Sequence, residues 1–186
     1  MRSRSSLAVL ILAAVALPTS AARATTVLAT PLDTLARSSA VIVRATVSNV
    51  EEADPAKPFT TTVELEVTES LKGLPATERT LTLELPGGRE GELAMYIPGS
   101  PRVDVGDEVV LLLERVGGGD RLAPAGLAQG VFKIERTTPE PVVRRELGGA
   151  HYVDAQGNEA VVPPVPRTLS ELTTRLRALS APAVPQ

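Results

Sequence analysis

From residue 60 to residue 68 the chain alternates strictly. Val63, Leu65 and Val67 fall on one side; Thr62, Glu64, Glu66 and Thr68 fall on the other. A period of two predicts a strand with one face in a core and the other in water. The same period recurs at Val41, Val43, Ala45 and Val47, with Arg44, Thr46 and Ser48 opposite, and Ile42 breaks that polarity as a residue covering a second face would. Leu81, Leu83 and Leu85 predict a third strand. Val109 to Leu113 is apolar without interruption between Glu108 and Glu114, the signature of a central strand buried on both faces. Further short strands are expected at Leu93, Met95 and Ile97, at Leu122-Ala123, at Val131 to Glu135 with Phe132 and Ile134 inward, and at Val142-Val143.

Breaks separate these runs. Residues 51–58 are polar with two prolines, Pro86-Gly87-Gly88 and Pro98-Gly99-Ser100-Pro101 are strong turn signals, and Gly117-Gly118-Gly119-Asp120 reads as a hairpin turn. Gly126 to Gly130 reads as irregular. Asp154-Ala155-Gln156-Gly157-Asn158, flanked by Tyr152-Val153 and by Ala160-Val161-Val162, predicts another hairpin. The period changes to that of a helix twice. Thr30-Pro31-Leu32-Asp33 opens a short one, with Thr30 as cap, Pro31 in the first turn and Leu32, Leu35 and Ala36 on one face. Thr168-Leu169-Ser170-Glu171 is a capping box, and Leu169, Leu172, Leu176 and Leu179 form an apolar stripe that must dock on something.

The start of the chain follows a different pattern. Arg2 and Arg4 precede an apolar run, Leu7 to Leu17, then Pro18 and the small-residue site Ala22-Arg23-Ala24. That order predicts a cleavable export signal over residues 1–24, cut between Ala24 and Thr25. The run falls short of the roughly 20 residues that span a bilayer, and no later segment is apolar enough, so no transmembrane segment is expected in the mature chain. The remainder is one domain by size: a β-domain with its N-terminal helix over 25–166, then a C-terminal helix and frayed tail over 167–186. The destination is the periplasm or the medium, and the preference for arginine over lysine fits a GC-rich bacterial genome.

Charge and composition narrow the chemistry. The 186-residue chain carries a net charge of −3, and its three signal arginines leave the mature part more acidic still. No basic cluster suggests nucleic acid or anionic lipid. The absence of cysteine excludes disulfides, thiolate metal sites, a cysteine nucleophile and a lipoprotein anchor. The four aromatics, Phe59, Tyr96, Phe132 and Tyr152, are too few for a stacking platform once some enter the core.

Each candidate site has a plainer reading. His151 is the single histidine. A Ser-His-Asp site would require it, but there is no G-x-S-x-G, and Gly148-Gly149 place it in an exposed loop. A zinc site would need His151 plus three carboxylates. Asp154 to Glu159 alternates oxygen side chains but lacks the calcium loop's closing glutamate, so a turn is expected. Glu51, Glu52 and Asp54 read as a solvated loop. Glu64 and Glu66 stand together as glycosidase carboxylates do, but they alternate with Val63, Leu65 and Val67 as an ordinary wet face. Lys72 with Ser70 could be a lone base and its nucleophile, with nothing nearby to lower the lysine pKa. Gly87-Gly88 and Gly117-Gly118-Gly119 neither open a helix nor carry a P-loop ending. No catalytic, cofactor-binding or metal-binding residue is therefore assigned, and no cofactor is expected.

The punctuation has a counterpart elsewhere. The T-x-V-E-L-E-V strand ending in Leu71-Lys72-Gly73, then Leu85-Pro86-Gly87-Gly88, Val105-Gly106-Asp107-Glu108-Val109 and Gly126-x-x-Gln129-Gly130-x-Phe132, resembles a group of uncharacterised exported bacterial proteins. More remotely, over about residues 30–136, it is similar to the OB-like barrels of netrin-type and metalloproteinase-inhibitor domains, where a strand also ends in Lys-Gly. Those inhibitors act through an N-terminal cysteine and disulfides that this chain lacks, so no inhibitory residue carries over. The resemblance implies a mainly β, OB-like barrel of five or six strands with a short N-terminal helix and a C-terminal helix. The functional expectation is a non-catalytic exported domain that binds a macromolecule, such as another exported protein, or supports the envelope. The alternatives are a secreted protease inhibitor presenting exposed loops such as Ile97 to Pro101, and a hydrolase using carboxylates alone.

Overall fold

The structure is a computed structural model that describes residues 25–181. The expected export signal over 1–24 and the end of the expected frayed tail, 182–186, lie outside the described residues. In chain order the elements are β1 (Thr26–Leu28), α1 (Leu32–Ser38), β2 (Val41–Glu51), β3 (Thr60–Lys72), β4 (Thr80–Pro86), β5 (Gly88–Glu90), β6 (Leu93–Met95), β7 (Glu108–Arg115), β8 (Leu122–Pro124), β9 (Val131–Glu135), β10 (Val142–Arg144), β11 (His151–Val153) and α2 (Leu169–Ser180).

The chain is mainly β. Strands β10-β9-β7-β2-β3-β4 form one antiparallel sheet in that order, and β8 joins it beside β9 by pairing with the far half of β7, giving seven strands rather than five or six. Register shifts at Ile42/Val43, Arg44/Ala45 and Val47/Asn49 bend β2 against β3, and such bulges deepen the right-handed twist. The sheet curls until β8 comes against β4, but no ladder joins the two.

The alternation read from the sequence decides which residues go to which face. Val43, Val47, Val63, Leu65, Leu83, Val109 and Leu111 meet inside the curl. Ile42, Val110, Leu112, Phe132 and Ile134 point the other way and pack under both helices, against Leu32, Leu35 and Ala36 of α1 and Leu169, Leu172 and Leu176 of α2. The apolar run of β7 thus serves both cores, with all five residues from Val109 to Leu113 buried. Complete burial of each such side chain is worth about 1.5–3 kcal/mol. The α2 stripe docks on the molecule's own sheet, with Leu179 at its margin. Thr168 caps α2 by accepting the Glu171 N–H, and ion pairs Arg175–Asp33 and Arg177–Glu69 tie α2 to α1 and β3.

Several local expectations change. Thr30 does not cap α1: its hydroxyl donates to the Leu28 carbonyl, and Pro31, with extended ψ of 147°, takes the cap position itself, so the helix begins at Leu32. Residues 127–130, expected to be irregular, wind into a 3-10 turn. Ala160 to Val162 forms no strand; the hairpin closes through a single Val153–Glu159 bridge and the Ala160 N–H to Tyr152 O bond. The β1 strand runs parallel to β11, where Val27, Tyr152 and Val162 make a third, smaller core.

Candidate functional site

The single histidine lies on a strand, not in a loop. β1 returns alongside residues 151–153, pairs Thr26 with His151, and leaves the imidazole exposed. Asp154 is consumed by its own turn. Its Oδ1 accepts the N–H groups of Gln156 and Asn158 at 2.9 Å each, and Asn158 donates to Oδ2 at 3.2 Å. Those bonds, led by the Asn158 backbone N–H, hold its pKa below the usual carboxylate value. Glu64 and Glu66 are exposed on β3. Among the described residues no three acidic or histidine side chains gather where they could hold a metal ion.

Lys72 and Ser70 are engaged separately. Lys72 Nζ donates to the carbonyls of Ala36 (2.9 Å) and Arg37 (3.0 Å), closing the C-terminus of α1, while Ser70 donates to the Leu74 carbonyl. A cation suits the negative end of a helix. Gly73 follows because φ is +74° and an added Cβ would stand 1.9 Å from the Ala40 carbonyl oxygen. The Lys-Gly step is therefore a helix clamp. The Gly126-x-x-Gln129-Gly130-x-Phe132 pattern is also architectural. Gln129 is fully buried, accepts the Thr30 N–H at 2.8 Å and donates to the Leu28 and Gly126 carbonyls at 2.9 and 3.2 Å. It fastens the incoming chain between β1 and α1 to the turn before β9.

The loop expected to be exposed, Ile97 to Pro101, is mostly inside. Gly99, Ser100 and Pro101 are buried. Gly99 N–H donates to Gly148 O at 2.8 Å, Ala128 N–H donates to Gly99 O at 2.9 Å, and Ser100 Oγ donates to Pro86 O at 2.7 Å. Satisfied in this way, turn backbone can leave water. Ile97 and Pro98 remain partly exposed.

The loop floors a cleft. β5 and β6 pair as a two-stranded hairpin apart from the main sheet, beside a cavity of about 490 Å³ whose lining includes Glu52, Arg89, Met95, Tyr96 and Arg102. Arg89 N–H donates to Glu52 O at 2.6 Å and anchors the hairpin to the end of β2. Across the cleft the Tyr96 hydroxyl donates to Gly148 O at 2.5 Å, and the Arg102 guanidinium lies 4.5 Å from the Tyr96 ring centre. Neither Arg89 nor Arg102 pairs with a carboxylate among the described residues, although eleven ion pairs form elsewhere. Next to this wall Lys133 is held by Asp107 at 2.9 Å with Asp104 and Glu146 nearby. Burial works against its charge, but those carboxylates outweigh it and the lysine pKa is raised.

The apolar content of this region stands out. Leu93, Met95, Tyr96 and Val105 are 66%, 44%, 51% and 63% exposed, so among the described residues four of the six large exposed hydrophobics fall between Leu93 and Val105. Leu93, Met95 and Ile97 were expected to form a strand; β6 does form at Leu93–Met95, but it faces water. The available signal was an apolar run, Leu93 to Ile97, with no polar alternation and a glycine on either side. The chain matches no protein-family profile and no curated protein sequence.

Proposed function

We propose that the protein is an exported, non-catalytic binding domain that recognises a polypeptide through the cleft beneath the β5–β6 hairpin. The observation that carries this is the cleft lining, where exposed Met95 and Tyr96 stand with Arg89 and Arg102, neither of them in an ion pair among the described residues. Grouped exposed apolar residues with a polar rim are the usual mark of a contact surface, and aromatic and arginine side chains are the groups that dominate such contacts. The buried, hydrogen-bonded floor supplies a pre-formed base.

Export is compatible with the described strands. β1 starts at Thr26, so cleavage after Ala24 would leave every described strand intact. In the same reading the sheet is an opened OB-like barrel. Its five longest strands run β9-β7-β2-β3-β4, and closure would join β4 to β9, where β8 now stands. A protease would be one possible class of partner, contacted by the hairpin rather than by Ile97 to Pro101.

The experiment is selection of phage-displayed random peptides on the purified domain, repeated on a Met95→Asp/Tyr96→Ser double variant with an unchanged melting temperature. Peptides enriched on the parent should lose binding to the variant. No enrichment, or peptides that bind both proteins equally, would overturn the assignment of the cleft.

A further inference from the structure

Four charged side chains line the hairpin cleft, two arginines and two acids, and they do not neutralise one another. Seven arginines elsewhere hold a carboxylate, in a chain whose 22 acidic side chains outnumber its 19 lysines and arginines. Arg89 and Arg102 hold none among the described residues, although Glu52 and Asp104 share their cleft. Asp104 faces Lys133 instead, at 3.9 Å.

Arg102 is held ready. Its guanidinium lies 4.5 Å from the centre of the Tyr96 ring, and that ring is pinned because its hydroxyl donates to Gly148 O at 2.5 Å. A guanidinium stacked on an aromatic face keeps its in-plane N–H edges open for a two-point bond to a carboxylate. Held in place before binding, it also loses less rotamer freedom when the bond forms. The facing wall is fixed as well. Arg89 N–H donates to Glu52 O at 2.6 Å, and Gly88 packs so closely that an added Cβ would stand 2.9 Å from the carbonyl oxygens of Glu52 and Thr60.

We infer that the cleft recognises a carboxylate on its peptide ligand, with Arg102 as the fork, Arg89 as a second positive charge and an apolar neighbour of that carboxylate against Met95. This rests on the peptide-binding reading above and names the group that the cleft selects. The charge of the lining favours a carboxylate over a phosphate. Two arginines and two acids sum to zero, in a chain of net charge −3. A single negative charge can sit on the arginines, which Glu52 and Asp104 do not contact. A phosphate ester carries about −1.5 to −2 and three acceptor oxygens, and it would face both acids as well. The same balance disfavours a polyanion. An acidic side chain and a chain terminus present the same carboxylate, and the experiment separates them.

Random heptapeptides are displayed on phage in two libraries, one with the peptide internal and one with a free C-terminus, and selected on the full mature chain. Internal peptides enriched in Asp or Glu beside an apolar residue would assign the site to an acidic side chain. Enrichment confined to the free-terminus library would assign it to a chain terminus. The strongest peptide is then made with a fluorescein label. Changing its carboxylate to the carboxamide should weaken binding at least about tenfold, Arg102→Gln should do the same, and the two together should cost little more than either alone. Arg102→Lys should not restore binding, because an ammonium offers no fork. Each variant should keep the parent's melting temperature, since Arg102 is exposed. Neutral peptides that bind the parent and fail on Met95→Asp/Tyr96→Ser would overturn the carboxylate and leave the peptide cleft standing. Acidic peptides that bind Arg102→Gln and Arg89→Gln as tightly as the parent, or a phosphoserine version that binds more tightly than the acid, would overturn it too. No enrichment from either library removes both readings.

Discussion

Gln129 is the position where replacing one amide should loosen the most distant parts of the chain. Its side chain is fully buried and makes three bonds, one accepted from Thr30 N–H and two donated to the carbonyls of Leu28 and Gly126. Leucine fills nearly the same volume and makes none of them. A buried polar group left without a partner costs about 1–3 kcal/mol. The Thr30 hydroxyl still donates to the Leu28 carbonyl and the residue-129 backbone N–H to the Gly126 carbonyl, so the penalty falls mainly on the Thr30 N–H. Gln129→Leu should therefore destabilise by about 1–3 kcal/mol, which in a domain of this size lowers the melting temperature by about 2–12 °C. Urea titration gives the global loss, and hydrogen exchange at the Thr30 amide gives the local one. Gln129→Glu sharpens the test. The carboxylate keeps an acceptor for Thr30 but loses both donors and carries a charge where burial disfavours it. Its pKa should rise in the fold, so the variant should be weakest at neutral pH and recover as acid restores a donating proton. A Gln129→Leu loss below about 0.5 kcal/mol, or a Gln129→Glu deficit independent of pH, would refute the clamp.

Acid should act on Glu108. Hydrogen bonds from Arg136 and Arg44 lower its pKa to about 2 from 4.5. A depressed folded-state value stabilises above the unfolded pKa and is lost as pH falls through the folded one. The parent protein should therefore lose stability between about pH 4.5 and pH 2, and Glu108→Gln should flatten that part of a melting-temperature profile; an unchanged slope would mean the two arginines do not stabilise the carboxylate. Mass spectrometry of the exported protein should give an N-terminus at Thr25, and retention of residues 1–24 would remove the export reading.

The long strands were legible because each is wet or dry by alternate residues, and the core simply keeps the dry set. Val63, Leu65, Val67, Leu83, Leu111, Phe132 and Ile134 are buried as the pattern predicts, and Glu64, Glu66 and Thr68 are exposed. What the pattern could not carry are contacts between segments far apart in the chain. Nothing near His151 announces that β1 will lie beside it, so the histidine reads as a loop residue. Lys72 reads as a strand-end cation because the helix carbonyls it closes lie more than thirty residues earlier. Ile97 to Pro101 has a turn's composition, and turns are usually wet; only the distant Gly148 and Ala128 backbone allows it to be buried. The cleft escaped for the opposite reason. An apolar run signals burial, and Leu93 to Tyr96 breaks that rule at the surface.

The titration behaviour of the carboxylates bears on the remaining alternative, a hydrolase built from acids alone. Such an enzyme needs one carboxyl held protonated near neutral pH, which burial or a like charge provides by raising its pKa. Here the displaced carboxylates all move the other way. Arg175 lowers Asp33, Lys57 lowers Glu84, the two arginines lower Glu108, and its own turn lowers Asp154. Each is favoured in its ionised form by a partner that also ties two elements or closes a loop. Glu64 and Glu66, the pair that most resembled an acid and its partner, stand in water on the outside of β3. Ionised, partnered acids of this kind stabilise a frame. Arg89 and Arg102, in no ion pair among the described residues, instead line the cleft with Met95 and Tyr96, and Arg102 lies over the Tyr96 ring. Guanidinium groups and exposed hydrophobes activate no water and stabilise no oxocarbenium ion. Such groups dominate contacts between polypeptides, which is why we propose a binding surface rather than a reactive centre.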